Sequence, residues 1–169
     1  EIGTHGYAHQ LIYHQTPEEF YRDVKKAKEI LEDITGKKVV GYRAPGFSIT
    51  PSTQWAYKIL MDLEIKYSSS VFPARRAHGE FREFELAPVK IEYNGRYIVE
   101  FPLTVINLFG IPLSCFGGGY FRLFPYCFFK AAKGIILKNK RPLIVYLHPR
   151  EIDVEQPRLG LPMMRRFKY

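Results

Sequence analysis

The chain has 169 residues, of which 46% are hydrophobic, and a formal net charge of +8. That length carries one domain with a real core, and no apolar run reaches the roughly 18 residues of a membrane span. The basic residues are scattered and accompany no nucleic-acid-binding motif, which argues for a solvated surface and against a nucleic-acid binder. From the N-terminus, His5 and His9 come first, in "EIGTHGYAHQ". "TPEEF" then opens a helix: Thr16 caps it, Pro17 suits the first helical position, and Glu19 completes a capping box. Phe20, Val24, Ala27, Leu31 and Ile34 form one apolar stripe, and Gly36 stops the helix.

A short strand in "KVVGY" runs into "RAPGFSIT", and Thr50-Pro51 opens a second helix bearing Trp55, Ile59 and Leu63. "IKYSSSVF" reads as the next strand. "VKIEY-NG-RYIVEF" is a hairpin whose Asn94-Gly95 turn supplies the positive φ such turns need. A glycine-rich loop, "FGGGYFRLFP", leads to a helix begun by Pro125, and "PLIVYLH" reads as a buried strand ending at His148. The order predicts an α/β fold with a largely parallel sheet and an inserted β-hairpin. Cys115 and Cys127 stand apart from any CxxC pattern and read as two buried thiols, with a lean to a reducing compartment.

Three places carry candidate chemistry. His5 and His9, four residues apart, can face one zinc ion, although two ligands need a third and Glu1 is the one near carboxylate upstream. Arg43 follows a strand, where it is either a surface arginine or a fixed cation that orients an anionic group. His148 ends the most hydrophobic strand, a position suited to acid or base work near neutral pH. His14 and His78 sit in polar contexts and read as surface residues. Glu151, Asp153 and Glu155 read as a salt-bridge cluster with Arg150 and Arg158.

"HGYAH", "RAPGF" and a strand ending "YLH", in this order, resemble the polysaccharide deacetylases of the NodB-homology type, carbohydrate esterase family four. The strings "EIGTHGYAHQ", "GYRAPGFSITP", "SSSVFP", "GGGYFRLFPY" and "YLHPREIDVEQPR" resemble the branch associated with exosortase and exopolysaccharide clusters. The resemblance covers nearly the whole chain. It implies a single deacetylase domain over 1–169, built as a distorted (β/α) barrel and incomplete at the N-terminus.

It also implies roles. His5 and His9 match the two histidine ligands of a divalent metal, most simply Zn2+. Arg43 matches the arginine that holds a catalytic aspartate. Pro45, Gly46 and Phe47 match the loop that lines the substrate groove and lends a backbone amide to the oxyanion. His148 matches the general acid, and Tyr146 and Leu147 the strand end near the acetyl methyl group. The implied substrate is an N-acetylated polysaccharide or oligosaccharide, deacetylated hydrolytically.

The chain departs from the pattern in three places. The aspartate base and third, aspartate ligand are expected upstream of Glu1. Ser68 stands in "YSSS" where relatives tend to carry an aspartate. Gly46 follows Pro45 where many carry an aromatic residue, and Phe47 is expected to replace part of that wall. Two rival readings are a non-catalytic glycan-binding relative and an esterase or small-amide hydrolase on the same fold.

Overall fold

Helix α1 (Pro17–Thr35) begins where its local signals put it: Glu19 N–H donates to Thr16 Oγ1, and Thr16 N–H donates to the Glu19 carboxylate. Gly36 ends it in the left-handed conformation. These observations come from a computed structural model that describes residues 1–75, 79–108, 110–118, 120–153 and 155. The chain divides into two compact units, Glu1–Leu103 and Thr104–Tyr169.

In the first unit, α1 buries Phe20, Val24 and Ala27, but the expected stripe does not reach Ile34, which is 74% exposed. The last turns turn a polar face inward instead. Lys28, largely buried, pairs with Glu32 at 2.9 Å, and Glu32 also accepts the Val39 N–H. The second helix starts as a 3-10 turn at Pro51–Thr53 and continues as α2 (Ala56–Asp62).

Four strands form one sheet: β1 (Gly41–Tyr42), β2 (Tyr67–Ser68), β3 (Val89–Tyr93) and β4 (Arg96–Glu100), in the order β1-β2-β4-β3. The β1–β2 and β2–β4 pairs are parallel, and β3–β4 is the expected antiparallel hairpin, with Asn94 and Gly95 both at positive φ. Thr4 adds a parallel bridge to Tyr42. Thr4, Tyr42, Ser68 and Glu100 therefore stand in one row across the sheet, and the residues that follow the first three are His5, Arg43 and Ser69. "KVVGY" and "IKYSSSVF" contribute two paired residues each, so both strands are shorter than their apolar runs predict.

Ile12, Phe20, Val24, Ile49, Leu60, Ile65, Val71 and Ile98 fill the core of this unit. Leu60 is fully buried, and Leu60→Ala is expected to lower stability by about 2–5 kcal/mol in urea denaturation.

The second unit contains the short hairpin β5 (Ile106–Leu108) and β6 (Ile111–Leu113), the one-turn α3 (Tyr120–Leu123), and α4 (Tyr126–Lys138) with Pro125 at its N-cap. Its core joins Ile106, Cys115, Phe116, Phe129, Ala132 and Ile136. Phe121 stacks on Phe129 at 4.9 Å and Phe124 on Phe128 at 4.4 Å; Phe124 packs against the core, while Phe121 keeps an exposed face. Cys115 is buried as expected, and burial pushes its thiol up to about 11, whereas Cys127 is exposed.

"PLIVYLH" corrects a further expectation. It is not a buried strand: it makes one isolated bridge, Tyr146 to Gly117, and Val145 and Leu147 are exposed. An apolar run becomes a strand when a neighbour supplies a ladder of partners. Here the backbone is held by scattered bonds, from Ile144 N–H to Thr104 Oγ1 and from Tyr146 N–H to the Phe116 carbonyl. The described strands thus make a mixed α/β architecture of one four-stranded and one two-stranded sheet.

Candidate functional site

The row across the first sheet sets the site, because parallel strands deliver their following residues to one edge. Parallel pairing carries the backbone from Thr4 to Arg43 (Arg43 N–H to Thr4 carbonyl, 3.0 Å) and from Tyr42 to Ser69 (Ser69 N–H to Tyr42 carbonyl, 3.0 Å). His5 leaves the edge beside Arg43, and its Nδ1 lies 2.7 Å from the Arg43 carbonyl oxygen. A carbonyl only accepts, so Nδ1 carries the proton, and the neutral ring keeps its lone pair on Nε2.

His9 returns to the same place around a tight turn. The two ring centroids are 5.0 Å apart and meet edge to face. Gly6 (φ +76°) and His9 (φ +53°) both take left-handed backbone to make this turn. Asp23, from α1, holds it: Oδ2 accepts the Tyr7 N–H at 3.0 Å and Oδ1 the Ala8 N–H at 2.8 Å. A Cβ on Gly6 would lie 2.6 Å from Asp23 Oδ2, so the turn needs glycine there on two counts.

Two exposed imidazoles at this separation suit a zinc ion with Zn–N bonds of about 2.0–2.1 Å. Among the described residues, no group of three or more His, Cys, Asp or Glu side chains comes together to hold a metal. The donor set therefore fits as two ligands of a site. Glu1 accepts a hydrogen bond from the Tyr67 hydroxyl at 2.8 Å.

Arg43 is half-buried. Its Nε donates to the Ser69 carbonyl at 3.1 Å and its Nη2 to Ser69 Oγ at 2.9 Å, with the guanidinium 5.8 Å from the Phe47 ring. Burial lowers its pKa from the ordinary arginine value, and the Glu100 carboxylate opposes that. The loop Pro45–Phe47 is a 3-10 turn with Gly46 at φ +60°. Two of the amides nearby are already used: Ala44 N–H donates to Ser70 Oγ and Phe47 N–H to the Ala44 carbonyl. Pro45 and Phe47 are buried, and Phe47 packs on Phe72 at 5.9 Å, so its ring belongs to the core more than to an exposed wall.

The second unit holds the other candidates. The His148 side chain is 57% exposed and pairs with the nearly buried Glu151 carboxylate, Nδ1 to Oε2 at 3.4 Å. The same carboxylate accepts the His148 backbone N–H. Glu151 therefore serves His148, a partner not foreseen from the sequence, while the expected pairing with Arg150 lies outside the described side chains. Arg158 lies outside the described residues, as does His78. The signal was present in the three-residue spacing of His148 and Glu151 around Pro149, which is that of a cap. Tyr146 meets the His148 ring edge-on at 6.2 Å and covers Gly117, where a Cβ would lie within the ring's contact distance. Leu147, His148, Pro149, Ile152 and Asp153 line an open depression of about 550 Å3. His14 is exposed, edge-on to Tyr13.

Residues 1–65 match the family model described as polysaccharide deacetylase, and residues 69–169 match the one described as domain of unknown function (DUF3473). No curated protein matches the chain. A crystal structure described as that of a candidate polysaccharide deacetylase from Mycobacterium smegmatis is similar with a TM-score of 0.50 and 23% identity. The match covers 62% of this chain and 32% of that one, and at this identity it speaks for the fold.

Proposed function

The chain belongs to the DUF3473 family and carries a polysaccharide deacetylase region at its N-terminal end, and from that premise we propose that it serves a hydrolase that removes N-acetyl groups from a polysaccharide. The observation that carries the proposal is the His5–His9 pair, set at the edge of parallel strands inside the matched region, with the His5 tautomer fixed by the Arg43 carbonyl. The proposal treats 1–169 as one deacetylase domain related to the distorted (β/α) barrels, acting within exopolysaccharide production.

In the reaction, water adds to the acetamide carbonyl carbon, the C–N bond breaks, and acetate and a free amino sugar leave. His5 and His9 would hold a divalent metal, with zinc the best match to two imidazoles. Bound there, the metal supplies Lewis acidity and an acidified water. Arg43, fixed on Ser69, offers a positioned cation for a neighbouring carboxylate. His148 donates a proton to the departing amine, without which an amide nitrogen is a poor leaving group. Glu151 fixes the direction of the ring and of its backbone.

Asp23 supports the same site from outside. Asp23→Ala frees two backbone donors and the turn between the ligands, and zinc affinity is expected to fall by about 10–100-fold in competition titrations. The function itself is tested with a panel of N-acetylated oligosaccharides, O-acetylated sugars and small amides, with acetate as the readout. Acetate from the N-acetylated oligosaccharides alone is the expected result. Preference for the esters or small amides would establish the second hydrolase reading, and sugar binding without acetate release the glycan-binding one.

A further inference from the structure

At the end of β4 lies a buried carboxylate that the proposed chemistry does not use. Glu100, the last residue of β4, is fully buried and stands opposite Ser68 in the parallel β2–β4 pairing. Its Oε1 accepts the backbone N–H groups of Ser70 at 2.6 Å and Val71 at 2.9 Å. Oε2 lies beside the buried Tyr57 hydroxyl without a well-formed hydrogen bond. Removing a carboxylate from water costs several kcal/mol unless hydrogen bonds repay it, and an apolar residue in phase with Ile98 would suit this core. What the carboxylate adds is a fixed segment at residues 69–71, just after β2.

That segment grips the site. Ser70 Oγ, 2.7 Å from Ser68 Oγ, accepts the Ala44 N–H at 2.9 Å. The carbonyl of the same peptide unit, that of Arg43, accepts the His5 Nδ1–H. One peptide plane is held from both ends, by Ser70 Oγ on one side and the imidazole on the other. Ser69, between the two held residues, carries the Arg43 guanidinium through both its carbonyl and its hydroxyl.

We propose that Glu100 is a positioning residue: it fixes the serine segment 69–71, which sets the 43–44 peptide, and this selects the Nδ1–H tautomer of His5 and the direction of Arg43. The proposal rests on the reading of His5 as a metal ligand. Burial raises the Glu100 carboxyl above its ordinary range, while bonds from Ser68, Ser70 and Val71 oppose this. The Ser70 and Val71 amides use only the lone pairs of Oε1, so an uncharged acceptor of the same shape serves them as well.

The test compares Glu100→Ala, Glu100→Gln, Ser70→Ala and, as a core control on the same strand, Ile98→Val, each in the full chain. Long-range 1H–15N spectra of the neutral, metal-free protein read the His5 tautomer, and competition titration reads zinc affinity. Glu100→Ala and Ser70→Ala are expected to give mixed His5 tautomers and to bind zinc about tenfold more weakly. Glu100→Gln and Ile98→Val are expected to keep the wild-type tautomer. The assignment is overturned if Glu100→Ala and Ser70→Ala both keep it, or if Ile98→Val loses it equally. Should Glu100→Ala fail to fold, Ser70→Ala, which removes one oxygen, decides alone. A complete natural protein that binds no zinc would sink the deacetylase reading, while the tautomer would still decide the role of Glu100.

Discussion

His5→Ala and His9→Ala, made separately in the complete natural protein, each lose zinc and deacetylation together. The expectation follows from the donor count. His5 and His9 are the two imidazoles that meet at the strand edge, with ring centroids 5.0 Å apart, and a zinc site with one ligand gone retains little of its affinity. Changing a residue that merely supports a ligand costs about 10–100-fold in affinity, so removal of the ligand itself is expected to exceed that range. The two variants are not equivalent in origin. His5 is pre-set by the Arg43 carbonyl, whereas His9 depends on the left-handed turn that Asp23 holds. Metal analysis after gel filtration reads the outcome, and one zinc per chain in His5→Ala would overturn the ligand assignment.

The second large effect separates metal from proton transfer. His148→Ala is expected to keep its zinc and to lose about 10²–10⁴ in kcat, the range a general acid supplies. Glu151→Gln should show the milder form of this defect, since the amide keeps the shape but leaves only one acceptor oxygen to hold His148. The signature is a metal content that stays at wild type while turnover collapses. Loss of zinc in His148→Ala would assign the residue a different role.

Local signals made α1 and the β3–β4 hairpin legible: a cap, a proline and a Glu at fixed spacing for one, Asn94-Gly95 for the other. The same logic failed where pairing is non-local. "KVVGY" and "IKYSSSVF" yield two paired residues each, because ladder length depends on neighbours distant in sequence. "PLIVYLH" has strand composition but a single bridge.

Of the site, the residue types were readable and their supports were not. Nothing near His5 in the chain announces Asp23 or the Arg43 carbonyl, which arrive from α1 and β1. Glu100 did leave a trace. It falls two residues after Ile98 on β4 and so shares its buried face, where a carboxylate is out of place unless it holds something. The departure at Ser68 takes on a physical sense in the same way: a carboxylate reaches that position from the neighbouring strand.

The most direct measurement strips the complete natural protein with a chelator, returns zinc stepwise, and follows acetate release from a soluble N-acetylglucosamine oligosaccharide. No acetate is expected from the stripped protein, and activity is expected to recover linearly and break at one zinc per chain. Acetate release that ignores the chelator, or sugar binding with no acetate at any zinc level, would contradict this expectation.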